Sequence, residues 1–406
     1  MYITRHLEKT VTELAGMFGA VLVTGPRQVG KTTMLKTVTK DISYITLDDP
    51  IMMRAAVEEA GSFFKSIPPP VFVDEIQYAP NLFPYIKMII DRDNKKGKFY
   101  LSGSQQFYMM KNVSESLAGR LGIASMLSLS LREIKGVACR DHFIPTCEYF
   151  ATRRQTAVPI EYRDIWDIIH RGSMPELYAN ENMNWQSFYA AYTKTYIERD
   201  VRDLTQVGDE VAFLKFMSVI ASMTGNLLNL SSVARDIGVS PPTAERWLSV
   251  LVASDLVYLL RPYANNMIKR AIKTPKIYFL DTGLAAYLTK WTTPAVLEAG
   301  AMAGAFFETF VIAEIIKSYY NAGLDLPLYF YRDRDGNEID LLIWSDGALH
   351  PIEIKKTANP HKGDIRAFGL LEKIPDIKRG QGGVVCMYDK LLALHGEDMI
   401  IPVSYL

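Results

Sequence analysis

Cysteine is scarce in this chain, charge of either sign cancels, and no long apolar run occurs. Of 406 residues only Cys139, Cys147 and Cys386 are cysteines, an odd number without C-x-x-C spacing. This argues against a metal-thiolate centre or a disulfide framework and suits a reducing compartment. Lys and Arg number 45, as do Asp and Glu, giving a formal charge of zero. No global field draws the protein to nucleic acid, so any such contact must come from local patches. No stretch reaches the roughly 18 uninterrupted apolar residues of a membrane span, and the opening MYITRHLEKT lacks the apolar core of a signal peptide. The expectation is a cytoplasmic protein with no membrane partner. With 49% hydrophobic residues, the chain has the length and composition for two or three packed domains.

What is present begins with Gly25-Pro26-Arg27-Gln28-Val29-Gly30-Lys31-Thr32, which follows the apolar run Ala20–Val23. The spacing G-x-x-x-x-G-K-[ST] is that of a phosphate loop: its glycines let successive backbone N–H groups turn inward, its lysine reaches the β and γ phosphates, and its hydroxyl ligates Mg²⁺. A strand should precede it, and a helix opening near Thr33 should aim its N-terminal dipole at the phosphates. Further strands are expected at Ser43–Leu47 and, after Pro68-Pro69-Pro70, at Val71-Phe72-Val73, which ends in Asp74 and Glu75. A continuously apolar strand is buried on both faces, and its carboxyl end is where α/β sheets place ligand chemistry. Asp74 is therefore a candidate to hold the Mg²⁺, and Glu75 to polarise the attacking water. A fourth strand, Lys98–Leu101, leads to Ser102-Gly103-Ser104, with Ser104 the candidate γ-phosphate sensor or simply part of a Ser/Gly turn. Arg120, in Leu117-Ala118-Gly119-Arg120, is either a surface side chain or a group that stabilises transferring phosphate in cis or across a subunit boundary. Self-association is the corollary of the second reading.

In this order, GPRQVGKTT, VFVDEIQ, LSGSQQ and LAGR resemble an AAA-type P-loop ATPase domain. They resemble in particular the bacterial and archaeal ATPases in which that domain is followed by a DUF4143-type domain, and the likeness extends over nearly the whole chain. It implies ATP and Mg²⁺ as cofactors.

The expected organisation is an α/β chain: an AAA-type parallel-sheet ATPase domain over 1–160, a helical lid or connector over 161–205, a winged-helix-like unit over 206–275, and a restriction-endonuclease-like α/β domain over 276–406. In the third unit, Val233–Ile237, the turn Gly238-Val239-Ser240 and the helix opening at Pro241 form a helix-turn-helix pattern. Its leading side chains Ser240, Thr243, Glu245 and Arg246 include one basic group, so the element serves either DNA contact or protein packing. The basic stretch Asn265–Lys273 is a second candidate for DNA. In the last unit, Glu308 on an expected helix is followed by Asp340 and, twelve residues beyond it, by Glu353-Ile354-Lys355. Glu353 and Lys355 lie two apart on a strand and share a face. Asp340 and Glu353 can hold Mg²⁺ and Lys355 can orient water or neutralise phosphate. The same acids also suit structural salt bridges, with Arg332 and Arg334 nearby. The order resembles the PD-(D/E)XK nuclease core and implies a metal site of Glu308, Asp340 and Glu353, with Lys355 beside it as a non-ligand.

Overall fold

A computed structural model describes residues 2–93, 95–104, 117–196, 210–263, 273–374 and 377–406. The N-terminal sheet has five parallel strands: β1 (Ala20–Thr24), β2 (Ser43–Thr46), β3 (Val71–Asp74), β4 (Phe99–Ser102) and β5 (Leu121–Ser125). They lie in the order β2-β3-β4-β1-β5. The phosphate-loop strand β1 is thus separated from the acid-bearing β3 by β4, with Leu22 opposite Leu101 and Val73 also opposite Leu101. Every residue of β1, β3 and β4 is buried, as parallel strands covered on both faces require. One covering layer includes Leu47, Phe63, Phe64, Phe83 and Ile86. The opposite face packs into a core that continues through the middle of the molecule into its C-terminal part.

The middle part is helical over Tyr162–Arg171, Pro175–Ala179, Trp185–Tyr196 and Glu210–Ser222. The helices Leu230–Ile237 and Pro241–Ala253 follow as expected, with Gly238 left-handed at φ 84° closing the first. Ser240 caps the second by accepting from the Thr243 N–H, a standard device for orphan helix-start donors. Trp247 meets Phe213 and Phe216 edge-on, so this helix is anchored inward by its aromatic residue while Glu245 and Arg246 stay exposed. Three short antiparallel strands lie beside it in the order β6-β8-β7: β6 (Asn226–Leu227), β7 (Val257–Leu260) and β8 (Lys276–Phe279). Lys276–Phe279, just past the expected boundary at 275/276, pairs with β7 in this sheet. Of the basic stretch Asn265–Lys273, residues 265–272 lie outside the described residues.

The helix Ala303–Asn321 is buried along nearly its whole length. Beyond it stands a separate mixed sheet of seven strands, β9 (Leu328–Arg332) to β15 (Asp398–Pro402). Strands β9, β10 (Glu338–Ser345) and β11 (Ala348–Lys355) are antiparallel, while β11 and β13 (Gly383–Cys386) run parallel. Lys362–Lys373 forms 3₁₀ turns. No helix among the described residues is long and apolar enough to cross a membrane.

Candidate functional site

The phosphate loop leaves the carboxyl end of β1 and enters the helix Lys31–Val38. Three of its residues have left-handed backbone: Gln28 has φ 61°, Gly30 has φ 92°, and Gly25 has φ 140° with the carbonyl of Met126 only 2.0 Å from where a Cβ would stand. At Gly25 no side chain fits. Val29 is buried, Gln28 and Thr33 are exposed, and Pro26 and Arg27 complete the turn. The Lys31 ammonium is folded onto its own loop, donating to the carbonyls of Gly25 at 2.8 Å and Pro26 at 2.7 Å.

Opposite the loop, Asp74 ends β3 with its side chain buried. Its Oδ1 accepts from Thr32 Oγ1 at 3.2 Å and from Ser102 Oγ, and its Oδ2 accepts from the Tyr44 hydroxyl at 3.2 Å. Glu75 follows in a left-handed conformation, φ 57°, which swings its carboxylate away from the strand direction, where Gln77 donates to it. Burial, reinforced by Asp74, pushes the Glu75 carboxyl above the ordinary range, against the lowering pull of Gln77, Lys31 and Arg27. Among the described residues, Ser104 Oγ is buried with no hydrogen-bond partner, as are Thr24 Oγ1 and Gln77 Oε1. Thr32 and Asp74 form an all-oxygen pair, a donor set that fits a hard divalent cation.

Ser102, rather than Ser104, touches the acid, and sequence reasoning also missed Tyr44. The signal for Ser102 was its place at the carboxyl end of a strand that separates β1 from β3. For Arg120 the geometry bears on the reading in cis alone. Arg120 precedes β5, whose Leu121 pairs with Ala20 at the start of β1, so a strand of about five residues, ~16 Å, separates it from the phosphate loop. There it binds Asp91 and the carbonyl of Ala118 at 3.0 Å. It cannot act on the phosphates of its own loop.

Beside the loop lies a cavity of ≈ 340 Å³ whose walls include Tyr2, Val29, Gly30, Thr33, Leu129 and Pro175. Its mostly apolar wall next to the phosphate cradle has the character of a small-molecule site.

The C-terminal carboxylates do converge, around a residue that sequence reasoning did not single out. Lys276, on β8 of the middle sheet, places its buried ammonium 3.0 Å from Glu308, 2.5 Å from Glu338 and 3.8 Å from Asp340. Tyr278 donates to Glu308 at 2.6 Å, the Ile354 N–H to Asp340 at 2.9 Å, and Arg332 pairs with Glu338 at 3.1 Å. Lys355 bridges Glu353 at 2.7 Å and Asp340 at 3.3 Å. Four acids thus face two lysines and one arginine. Burial, with Asp340 adding to it, pushes Glu308 up to about 7 and Glu353 up to about 9. Burial alone would lower the Lys276 ammonium, but Glu308, Asp340 and Glu338 outweigh it and raise it.

This arrangement does not fit the expected nuclease metal. Each carboxylate already has a cationic partner, and Lys276 occupies the position among Glu308, Glu338 and Asp340 that a cation would take. Among the described residues no group of three or more His, Cys, Asp or Glu side chains is placed to hold a metal ion. Glu308, Asp340 and Glu353, the expected metal ligands, are each paired with a lysine here, and Lys355 bridges two of them.

Residues 18–135 match a family described as an AAA domain, residues 162–295 match a domain of unknown function (DUF8612), and residues 303–406 match a domain of unknown function (DUF4143). Residues 18–135 are thus similar to an AAA domain, which supports ATP binding, and residues 303–406 to DUF4143. Uncharacterized proteins of Mycobacterium bovis and Mycobacterium tuberculosis are each 28% identical to it over 341 residues, 84% of this chain and 71% of the relative. Among solved structures, a Walker-type ATPase of Pyrococcus abyssi aligns at 13% identity, over 70% of this chain and 94% of that one, with a TM-score of 0.42. AMPPCP-bound DnaA from Aquifex aeolicus aligns at 12% identity, over 61% and 85%, with a TM-score of 0.29.

Proposed function

We propose that the protein hydrolyses ATP at the phosphate loop and uses its nucleotide state to regulate the C-terminal domain, which holds or releases a protein or nucleic-acid partner without cutting it. The observation that supports hydrolysis is the meeting of Thr32, Asp74 and Ser102 at the mouth of the loop, with Glu75 turned out of the strand beside them. In this reading the loop amides and Lys31 bind the β and γ phosphates, for which Lys31 exchanges its carbonyl partners for phosphate oxygens. Thr32 and Asp74 hold Mg²⁺, which when bound neutralises the developing phosphate charge. Glu75 accepts the proton of the attacking water. The apolar cavity beside Gly30 takes the base.

The reading of the C-terminal domain as non-cleaving rests on Lys276 among the acids. A DNA-cleaving reading draws only on the convergence of Glu308, Asp340, Glu353 and Lys355.

The test is Mg²⁺-dependent ATP turnover by wild type and Lys31→Ala, run beside cleavage of supercoiled and linear DNA with Mg²⁺ or Mn²⁺. Turnover that falls at least about 100-fold in the variant is expected, with no cutting in any lane. Turnover that survives in Lys31→Ala would refute the ATPase assignment. Cutting that disappears in Asp340→Asn would replace the regulatory reading with a nucleotide-gated nuclease.

A further inference from the structure

Directly after β5 the chain forms a short segment, Leu127–Glu133, that buried charged groups grip from two sides. Arg5, 4% exposed, uses all three guanidinium nitrogens. Nη1 donates to the Val29 carbonyl of the phosphate loop at 2.7 Å, Nη2 to the carbonyls of Leu127 at 2.7 Å and Ser128 at 3.3 Å, and Nε to Glu133 at 3.0 Å. Glu133 in turn accepts from the backbone N–H groups of His6 and Ser130, each at 2.7 Å.

From the other side comes helix Ala303–Asn321. Lys317, 3% exposed, donates to the Leu129 carbonyl at 2.9 Å, to Ser173 Oγ at 3.0 Å and to Glu314 at 2.8 Å. The second oxygen of Glu314 accepts from the Leu131 N–H at 2.6 Å, and Ser173 Oγ meets Ser128 Oγ at 2.7 Å. Leu129 itself lines the cavity beside Gly30. One residue therefore forms a wall of the candidate nucleotide cavity and accepts a hydrogen bond from the C-terminal helix.

Packing alone does not call for this. Two ion pairs are taken out of water here, which is costly unless geometry is tightly held, and directional bonds fix register in a way that apolar contacts between the same elements would not. Glu308 stands on the same helix, nine residues before Lys317, so a shift of that helix reaches the Lys276 cluster.

We propose that Leu127–Glu133 is a coupling strap: Arg5 is a positioning residue for the phosphate loop, and Lys317 with Glu314 transmits the state of the nucleotide cavity to the C-terminal domain. The proposal rests on the ATP reading and extends it to regulation. It requires one physical condition, that the strap has different preferred positions with the cavity filled and empty.

Hydrogen exchange of the full chain, with and without Mg²⁺ and ATPγS, tests it. In wild type, nucleotide slows exchange at 20–38, at 127–133 and at 303–321. In Lys317→Met the protection at 20–38 persists and that at 303–321 is lost. Ser173→Ala, which removes the hydroxyl that joins Ser128 to Lys317 and also donates to Asp281 at 3.1 Å while keeping the Ser173 N–H bond to Asp281, weakens the distant protection in the same way and serves if Lys317→Met does not fold. In steady-state turnover Arg5→Ala raises KM for ATP about tenfold, as expected for losing a charge-assisted bond, and changes kcat less. Arg5→Lys does not restore KM, because one ammonium cannot reach the separate acceptors that the planar fork spans. Protection confined to 20–38 in wild type, persistence of the 303–321 protection in both variants, or an unchanged KM in Arg5→Ala overturns the strap while leaving the ATP reading intact. Absence of protection at 20–38 in wild type overturns the ATP reading, and the strap with it.

Discussion

Replacing Lys276 by Met keeps an unbranched side chain one atom shorter and removes the charge that three carboxylates share. The ammonium lies 3.0 Å from Glu308 and 2.5 Å from Glu338, on a side chain only 4% exposed. An exposed ion pair would be worth about 0.2–1 kcal/mol, whereas stripping one partner from a buried set costs about 3–5 kcal/mol, because the carboxylates left behind remain desolvated. At about 2–4 °C per kcal/mol for a unit of 150–250 residues, this converts to a melting shift of about 6–20 °C. The pH dependence has a defined sign. Without the ammonium the acids relieve their repulsion by taking up protons, and burial has already raised Glu308 to about 7. The deficit should therefore be larger at pH 8 than at pH 6. Adding Glu308→Gln to Lys276→Met should recover part of the loss, since the residues touch and their effects are not additive. Thermal unfolding of the full chain followed by far-UV circular dichroism is the assay. A shift below about 2 °C at pH 8, where several kcal/mol are expected, would refute the reasoning. So would stabilisation of nucleotide-free wild type by Mn²⁺ that is absent in Asp340→Asn.

Glu75→Gln should lower kcat by about 100-fold or more, the scale of a lost general base, with KM for ATP nearly kept. In wild type, kcat should rise with pH along an acidic limb whose midpoint lies above the ordinary carboxylate range, since burial raises this carboxyl and only its ionised form accepts a proton; the limb should vanish in the variant. Gly25→Ala should abolish binding of a fluorescent ATP analogue, because its Cβ would stand 2.0 Å from the Met126 carbonyl in a backbone conformation that side chains rarely adopt; retained binding would mean the loop tolerates another path. Asp340→Asn should leave ATP turnover within about twofold of wild type, as an additive, distant site should, and a large loss would tie the two centres more closely than proposed.

What could be read from the sequence was local or periodic. Gly25 to Thr32 encode their own turn, and the apolar strand Val71–Val73 announces where Asp74 must stand. Glu308, Asp340, Glu353 and Lys355 were visible because chain order and strand alternation bring them to one region. The partners that decide what these groups do were not visible. Lys276 lies on a strand of another sheet, 64 residues before Asp340, and nothing in its neighbourhood marks it as the cation of that cluster. Ser102 and Ser104 are equivalent as sequence, and only the end of β4 beside Asp74 separates them. Arg120 follows a glycine as an arginine finger might, yet strand direction puts it at the amino edge of the sheet. Arg5 had no motif at all, since its acceptors are backbone carbonyls, which carry no signature in sequence.

The core that joins the N-terminal sheet to the C-terminal helix also bears on how the protein comes into being. Leu7, Val21, Trp166, Phe310 and Ile401 belong to one continuous apolar cluster, and the helix Ala303–Asn321 packs on β5 and on the first helix, Leu7–Met17, so part of the N-terminal unit's packing comes from residues made nearly 200–300 positions later. Contacts of such separation form slowly. An N-terminal domain emerging from the ribosome would display its loop, with Gly25 to Thr32 already encoded, before Lys317 or Glu314 existed to hold the neighbouring segment. During that interval the nascent chain exposes apolar surface suited to chaperone capture.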